Sequence, residues 1–402
     1  MTDQLSERTI ALVKATLPAL QAHGLDIVHE MYSRMFRNPE IRDLFNQSHH
    51  GSSDAQPRAL AGAVLAYAAN IDNLGALTSA VERIAQKHVG LQILPEHYPH
   101  VGEALLGAIK HVLGDAATDE IMTAWGEAYW FLANILIGRE KDIYAEQHGL
   151  QGGWNGWRDF RIEQMTRESS VITSFVLAPV DGGPVMDYKP GQYLTFWLEI
   201  PGQTPVKRNY SISAAPNGRS YRISVKREEM GLASGWLHAQ EPGTVLKVAA
   251  PAGDFHLKPA AKRPVVLLSG GVGLTPMVAM LETLVRDGAD VPVHYVHGTH
   301  DRDTHAMRDH VRSLAAGRGN VLVTDFHQTP LPGEEAGRDY DHEGIIGGDW
   351  LLANTPVADA DYYLCGPRPF LRATVQALAE AGVTADRIHY EFFGPADEQL
   401  AA

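Results

Sequence analysis

Between Gly149 and Trp157 the chain changes its hydrophobic period, and no single layered domain accommodates what lies on both sides. Before that point apolar residues recur at steps of three and four: Ile10, Leu12, Val13, Leu17 and Leu20, then Leu60, Val64, Leu65 and Ala68. That spacing lines one face of a helix. Ile121 to Tyr144 continues it through Trp125, Tyr129, Leu132, Leu136 and Ile143. Pro39, Gly51, Pro57, Gly90 and Pro95 punctuate the helices, and Pro57 falls near a helix start, where a missing N–H costs little. Past the Gly-rich joint Gly152-Gly153-Trp154-Asn155-Gly156-Trp157 the apolar runs become short and β-like. Strands are expected at Arg158–Ile162, Ile172–Pro179, Tyr193–Ile200, Tyr210–Ser213, Tyr221–Lys226 and Val245–Ala249, which suits a small antiparallel barrel. From about residue 263 strands (Val265–Leu268, Val291–His297, Val321–Phe326, Ala360–Cys365) alternate with helices (Pro276–Asp287, Phe370–Gly382), an α/β nucleotide-binding layout. The expectation is a multi-domain chain: an all-α domain over 1–148, a linker over 149–157, an antiparallel β-barrel over 158–260 and an α/β domain over 261–402.

Charge and cysteine usage exclude several functions. A net charge of −14 argues against a nucleic-acid footprint, which needs a basic face. No run of 18 apolar residues marks a membrane span, and Met1-Thr2-Asp3-Gln4-Leu5 lacks the basic start and apolar core of a secretory signal, so a cytoplasmic protein is expected. Cys365 is the only cysteine, which rules out an internal disulfide and fits a reducing compartment. It also rules out a four-cysteine iron–sulfur relay, and without Cys-x-x-Cys-His there is no covalent c-type haem.

Arg208-Asn209-Tyr210-Ser211 sets a permanent cation, a ring and a hydroxyl within four residues of a strand. A flavin dinucleotide needs those groups for its diphosphate, its ring system and its polar edge. Strand Val265–Leu268 runs into Ser269-Gly270-Gly271-Val272-Gly273, and Thr275-Pro276 opens a helix. Glycine lets the backbone approach a phosphate, whose charge the helix N-terminus favours. Cys365-Gly366-Pro367 follows another strand. By itself Cys365 reads as a small core residue.

These segments, with the tail Tyr390-Glu391-Phe392-Phe393-Gly394, resemble the ferredoxin–NAD(P)+ reductase family over roughly residues 155–402. The resemblance implies FAD contacts from Tyr193, Arg208, Asn209, Tyr210, Ser211, Lys226, Ser234, Glu391, Phe392, Phe393, Gly394 and Pro395. It implies that Gly270, Gly271, Val272, Gly273, Leu274, Thr275, Cys365, Gly366 and Pro367 hold the nicotinamide nucleotide. Tyr193 has a competing reading as barrel packing. The stretch Gly298-Thr299-His300-Asp301 offers no strong cation for a 2′-phosphate, which favours NADH, while Arg302 keeps NADPH open.

In the helical third, Tyr32-Ser33-Arg34-Met35-Phe36, Phe45, Gln56 with Leu60, Lys87-His88, Glu96-His97-Tyr98 and Arg139-Glu140 resemble the globin domain of flavohaemoglobins. The order globin, FAD barrel, NAD domain is that family's architecture over the whole chain. The resemblance implies haem b, with His88 as iron ligand and Tyr98 and Glu140 behind it. Phe45, Gln56, Leu60 and Lys87 would belong to the haem pocket, and Tyr32 would donate its hydroxyl toward O2 at the iron. Competing readings are a core aromatic for Phe45, a capping or surface role for Gln56, and a helix-surface ion pair of Glu140 with Arg139 or Lys141. The implied activity is nitric oxide dioxygenation: NO and O2 become nitrate with electrons from NAD(P)H through FAD, with no obligate protein partner. Two other classes stay open, an oxygen-binding or redox-sensing globin with a self-reducing flavin module, and a flavin reductase with a cofactor-free helical domain. The histidines at 294, 297, 300, 305 and 310 match no metal-ligand spacing and read as surface residues.

Overall fold

The structure, a computed structural model, describes residues 4–44 and 55–394. They form two compact units, the first mainly the chain up to Gly149 and the second running on from Leu150.

The first unit is helical: α1 (Glu7–Ala15), α2 (Leu17–Met35), α3 (Pro39–Arg42), α4 (Ala55–Ala69), α5 (Thr78–Leu91), α6 (Tyr98–Leu113) and α7 (Asp119–Gly149). Local chemistry sets several ends. Ser6 caps α1, its Oγ accepting from the Thr9 N–H at 3.0 Å. Pro18 lies in the first turn of α2, where its fixed φ suits a helix start. Helix α5 stops where Gln92 turns left-handed at φ 62°. The main core gathers Val13, Ile27, Ile109 and Trp125, each worth about 1.5–3 kcal/mol of burial. A second cluster, Ala85, Val89, Tyr98, Ala133, Leu136 and Ile143, joins α5, α6 and α7.

The second unit opens with a six-stranded sheet: β1 (Arg158–Arg167), β2 (Ile172–Pro179), β3 (Tyr193–Leu198), β4 (Val206–Ser211), β5 (Tyr221–Lys226) and, after helix α8 (Leu232–His238), β6 (Val245–Val248). The spatial order is β4-β3-β6-β1-β2-β5. Strand β1 outruns its apolar residues. A bulge between Ile162 and Gln164 shifts its register on β2, and the antiparallel ladder carries the polar end on to Arg167. The Gly-rich joint is pinned: Trp154 is buried against Phe160 and Tyr221, and its Nε1 donates to the Val248 carbonyl at 3.1 Å.

The α/β part follows: β7 (Val265–Gly270), α9 (Leu274–Arg286), β8 (Val293–Thr299), α10 (Arg308–Ala315), β9 (Val321–His327), β10 (His342–Glu343), α11 (Gly348–Asn354), β11 (Asp361–Cys365), α12 (Arg368–Glu380) and β12 (Ile388–Glu391). The strands are parallel in the order β10-β9-β8-β7-β11-β12. Every residue of β11 is buried, as helices on both faces of a parallel sheet require. The chain moves outward from β7 through β8, β9 and β10, then returns to place β11 on the other side of β7. That reversal is a topological switch point, and ligands of open α/β sheets bind beyond the strand ends there. Among the described residues, no helix is long and apolar enough to cross a membrane.

Candidate functional site

In the helical unit, three side chains from three helices meet. His88 lies near the C-terminus of α5, Tyr98 opens α6 and Glu140 sits in the C-terminal half of α7. His88 Nδ1 is 2.7 Å from Glu140 Oε1 and 3.1 Å from the Tyr98 hydroxyl. The Tyr98 hydroxyl donates to the same Glu140 oxygen at 2.6 Å. These contacts fix the protons. A carboxylate only accepts, and a hydroxyl that gives its proton to Glu140 can only accept from His88. Nδ1 therefore carries a hydrogen, and in the neutral ring Nε2 is left with the lone pair. Nε2 makes no hydrogen bond among the described residues. Glu140 is almost wholly buried (side chain 3% exposed), and its Oε2 has no hydrogen-bond partner there. Burial and the Glu140 charge push the Tyr98 phenol well above its ordinary pKa, so Tyr98 stays a donor. The surface ion pair considered for Glu140 does not form: Arg139 turns instead to Glu82 and Glu146.

The support for Tyr98 was hidden in the sequence. Tyr129, legible there only as a periodic apolar residue, donates to the Tyr98 carbonyl at 2.5 Å. Its ring lies over Gly102, where a Cβ would come within 2.6 Å. A glycine four residues after Tyr98, on the same helix face, was the available signal.

Tyr32, buried on α2, stacks on Phe36 at 5.3 Å between ring centroids. Burial pushes its phenol up to about 12, although a hydrogen bond with Gln56 of α4 pulls the other way. Leu60 packs half-buried against the main core, and Lys87 is exposed. Phe45 and Pro395 lie outside the described residues.

On the barrel, Arg208, Asn209, Tyr210 and Ser211 all lie in β4, which begins earlier than expected. Burial lowers the Arg208 guanidinium below its ordinary pKa, against the nearby Tyr210. A desolvated cation gains most from a nearby anion. Burial pushes Tyr210 up to about 12, and its ring meets Phe196 edge-on at 5.6 Å. Asn209 Oδ1 accepts from Thr195 at 2.9 Å. Lys226 pairs with Glu228 at 3.0 Å, and the Ser234 hydroxyl accepts from the Glu228 N–H at 3.1 Å at the start of α8. Tyr193 is 5% exposed, yet its hydroxyl has no hydrogen-bond partner among the described residues. Its phenol is pushed up, first by burial and then by Glu391 and Asp254.

The switch point unites the two glycine segments. A Cβ on Gly273 would sit 2.1 Å from the Cys365 carbonyl oxygen and 2.9 Å from the Gly366 nitrogen. Gly271 holds φ +53°, with nothing within 4 Å of a built Cβ. The loops after β7 and β11 thus pack backbone on backbone, and beside them the backbone at Gly271 borders open space, where glycine lets a ligand approach closely. Val272 and Gly273 lead into α9, whose first turn buries Leu274 and Thr275. Pro367 precedes α12. The Cys365 side chain is fully buried, and burial, with Glu391, raises its thiol pKa. Cys365 pairs with Glu391 in the β11–β12 ladder. Beyond it, Phe392 lies under the Arg368 guanidinium at 4.5 Å, and Phe393 and Gly394 are exposed.

Known families match each part: a globin model over residues 29–136, an oxidoreductase FAD-binding domain over 159–257 and an oxidoreductase NAD-binding domain over 267–376. A flavohemoprotein of Xylella fastidiosa (strain 9a5c) is 53% identical, with 100% of each chain covered. This chain belongs to the flavohemoprotein family. The flavohemoglobin of Malassezia yamatoensis, with bound FAD and heme, shares its fold at TM-score 0.87 and 27% identity, covering 97% of this chain and 100% of that one. The FAD/NAD-binding domain of nitric oxide dioxygenase from Vibrio cholerae O1 biovar El Tor is 40% identical at TM-score 0.54, covering 59% of this chain and 99% of its own.

Three of the five clustered histidines of this flavohemoprotein are not on the surface. His294, His297 and His305 are buried, while His300 is exposed and His310 partly so. His297 and His294 lie inside the covered strand β8, which spacing along the chain could not reveal. His297 Nδ1 bonds Ser269 at 2.8 Å, and His305 Nδ1 faces His327 Nε2 at 3.1 Å. Burial lowers His297 and His305 to about 3, so both are neutral. No group of three or more metal-ligating side chains among the described residues is arranged to hold an ion.

Proposed function

We propose that this flavohemoprotein is a nitric oxide dioxygenase, turning NO and O2 into nitrate with electrons drawn from NAD(P)H. The nitric oxide dioxygenase whose FAD/NAD domain it resembles supports the reading. The observation that carries it is the hydrogen bonding of His88 to Glu140 and Tyr98. A buried carboxylate behind an imidazole raises its basicity, which suits activation of O2 over reversible storage. Bound cofactors supply the redox chemistry: haem iron where the gases meet, and FAD to divide a hydride into single electrons.

The chain's own groups do the rest. His88 would hold the iron through Nε2, the nitrogen its neighbours leave open. Glu140 and Tyr98 keep the ring in one tautomer and orientation. Tyr32 offers an un-ionised hydroxyl to a small polar ligand, with Gln56 bonded to it. Leu60 and Lys87, and Phe45 outside the described residues, would belong to the haem pocket. For FAD, the orphaned Tyr193 hydroxyl fits a ligand's polar atom, and desolvated Arg208 fits a diphosphate. Asn209, Tyr210, Ser211, Lys226, Ser234 and the segment 391–395 would form the rest of its shell. Gly270 to Thr275, with Cys365 to Pro367, would receive the nucleotide, NADH in preference to NADPH. The domains are assigned as 1–148, 158–260 and 261–402, joined over 149–157, in a cytoplasmic protein that needs no protein partner.

The test compares aerobic with anaerobic turnover of the purified protein loaded with haem and FAD. NADH-driven NO consumption that requires O2 and yields nitrate is expected. Its absence overturns the assignment, and slow turnover with high O2 affinity favours an oxygen carrier instead.

A further inference from the structure

Helix α9 begins at the glycine loop and ends beside the segment that continues from the flavin motif. Four residues past Ser211, the Ala215 N–H donates to Glu282 Oε2 at 2.7 Å. Glu282 Oε1 accepts from Arg222 of β5 at 2.7 Å and from His310 of α10 at 2.7 Å. Arg222 also donates to the Ser213 carbonyl, and to the Ser213 hydroxyl at 3.3 Å. One turn on, Arg286 donates to the Pro216 carbonyl at 2.5 Å. Glu282 is 15% exposed at its side chain. Burial works against its charge, yet His310, Arg222 and the Ala215 amide together hold its carboxyl below the ordinary pKa.

A charge-assisted cluster of this kind is strong and directional. It is also more than packing requires, because apolar side chains of similar volume would bury the same surface without desolvating two charges. What the charges add is register. Thr275 and Glu282 are seven residues apart on one helix, a rigid span of ~10 Å at 1.5 Å per residue. Whatever fixes Glu282 against Ala215 and Arg222 fixes the glycine loop against the strand carrying Arg208 to Ser211.

We infer that Glu282 is a positioning residue for hydride transfer: it locks the nucleotide loop to the flavin strand through Ala215 and Arg222. The inference rests on the proposed NADH-to-FAD step. Hydride transfer is steep in donor–acceptor geometry, and a displacement of 1 Å can cost ~100-fold in rate. Glu282 is occupied by Ala215, Arg222 and His310 and acts through the backbone it holds.

The test uses the full-length protein with haem and FAD and compares Glu282→Gln with wild type. Glutamine keeps the shape but turns an N–H2 toward one of the donors. Two measurements separate the inference from the reading beneath it. Hydrogen exchange of peptides covering 213–217 reads the clamp without any turnover, and stopped-flow flavin reduction by NADH reads its consequence. We expect faster exchange at 213–217, flavin reduction slowed ~10-fold or more at saturating NADH, and unchanged flavin and haem absorption. Glu199→Gln, which breaks an exposed pair with Lys247, is expected to change neither readout. Unchanged exchange at 213–217 overturns the clamp. Faster exchange with wild-type flavin reduction makes it merely structural and overturns the positioning role. Wild-type flavin that NADH cannot reduce overturns the proposed electron path, and the inference with it.

Discussion

Gly271 and Gly273 stand two residues apart in one loop, and the geometry separates what each does. An alanine at 273 would place Cβ 2.1 Å from the Cys365 carbonyl oxygen, where ordinary contacts begin above 3 Å. The loops after β7 and β11 must part by ~1 Å. Overpacking of this sort costs ~1–3 kcal/mol, and backbone atoms cannot rotate away as a flexible side chain can. An alanine at 271 meets nothing within 4 Å, but Gly271 holds φ +53°. Its cost is the left-handed strain alone, ~1–2 kcal/mol, with no shift of the second loop. The new methyl does stand where a phosphate would approach. Gly271→Ala should therefore raise the KM for NADH and leave the exchange of peptides from 361–367 at wild-type rates. Gly273→Ala should quicken that exchange and slow flavin reduction even at saturating NADH, by ~100-fold if the nicotinamide follows the loop. Steady-state kinetics and hydrogen exchange on the same samples decide it. If Gly273→Ala kept wild-type exchange and reduction rates, the backbone contact would not be what sets the two loops.

Other outcomes follow from the site. His88→Ala should remove the haem Soret band and leave the FAD spectrum, and a normal Soret band would refute the ligand assignment. Glu140→Gln removes the charge behind His88 and should weaken haem retention or activity ~10- to 100-fold, as loss of such partners commonly does; haem transfer to an apo-acceptor protein measures it. Tyr32→Phe should release O2 faster, and an unchanged dissociation rate by flash photolysis would remove Tyr32 from that role. His297 and His305 are held near 3 against an ordinary 6.5, so the unfolded chain binds more protons between those values. Their contribution to stability is complete above pH 6.5 and is lost as pH falls toward 3. In urea titrations across that range, His297→Asn should flatten the acid limb, and an unchanged slope would contradict the burial argument.

Periodicity made the helical third, the barrel and the central α/β strands legible, because their apolar residues face a core at helix or strand spacing. It failed where something other than burial holds the chain. The outer half of β1 is polar except for Met165 and rests on its ladder with β2. Strand β4 starts with Val206 and Lys207 buried together, and a buried lysine gives no apolar signal. The two-residue strand β10 is set by parallel pairing with Phe326 and His327 and by the His342 ring against Phe326 and Trp350, contacts that no run of its own residues announces. At the site, residue types announced His88 and Glu140, but not that one carboxylate oxygen would take both the imidazole and the Tyr98 phenol. That convergence brings Glu140 of α7, more than forty residues on, to the neighbouring His88 and Tyr98, and no spacing encodes it.

Cys365 carries a last consequence. Thiols are nitrosated and oxidised chiefly as exposed thiolates. This chain's single thiol is wholly enclosed between sheet and helix, with its ionisation suppressed. If the proposed dioxygenase activity holds, the protein presents NO and O2 with no exposed sulfhydryl to attack. Damage from prolonged turnover should fall on its methionines, aromatic rings and cofactors, and thiol reductants should do little to restore lost activity.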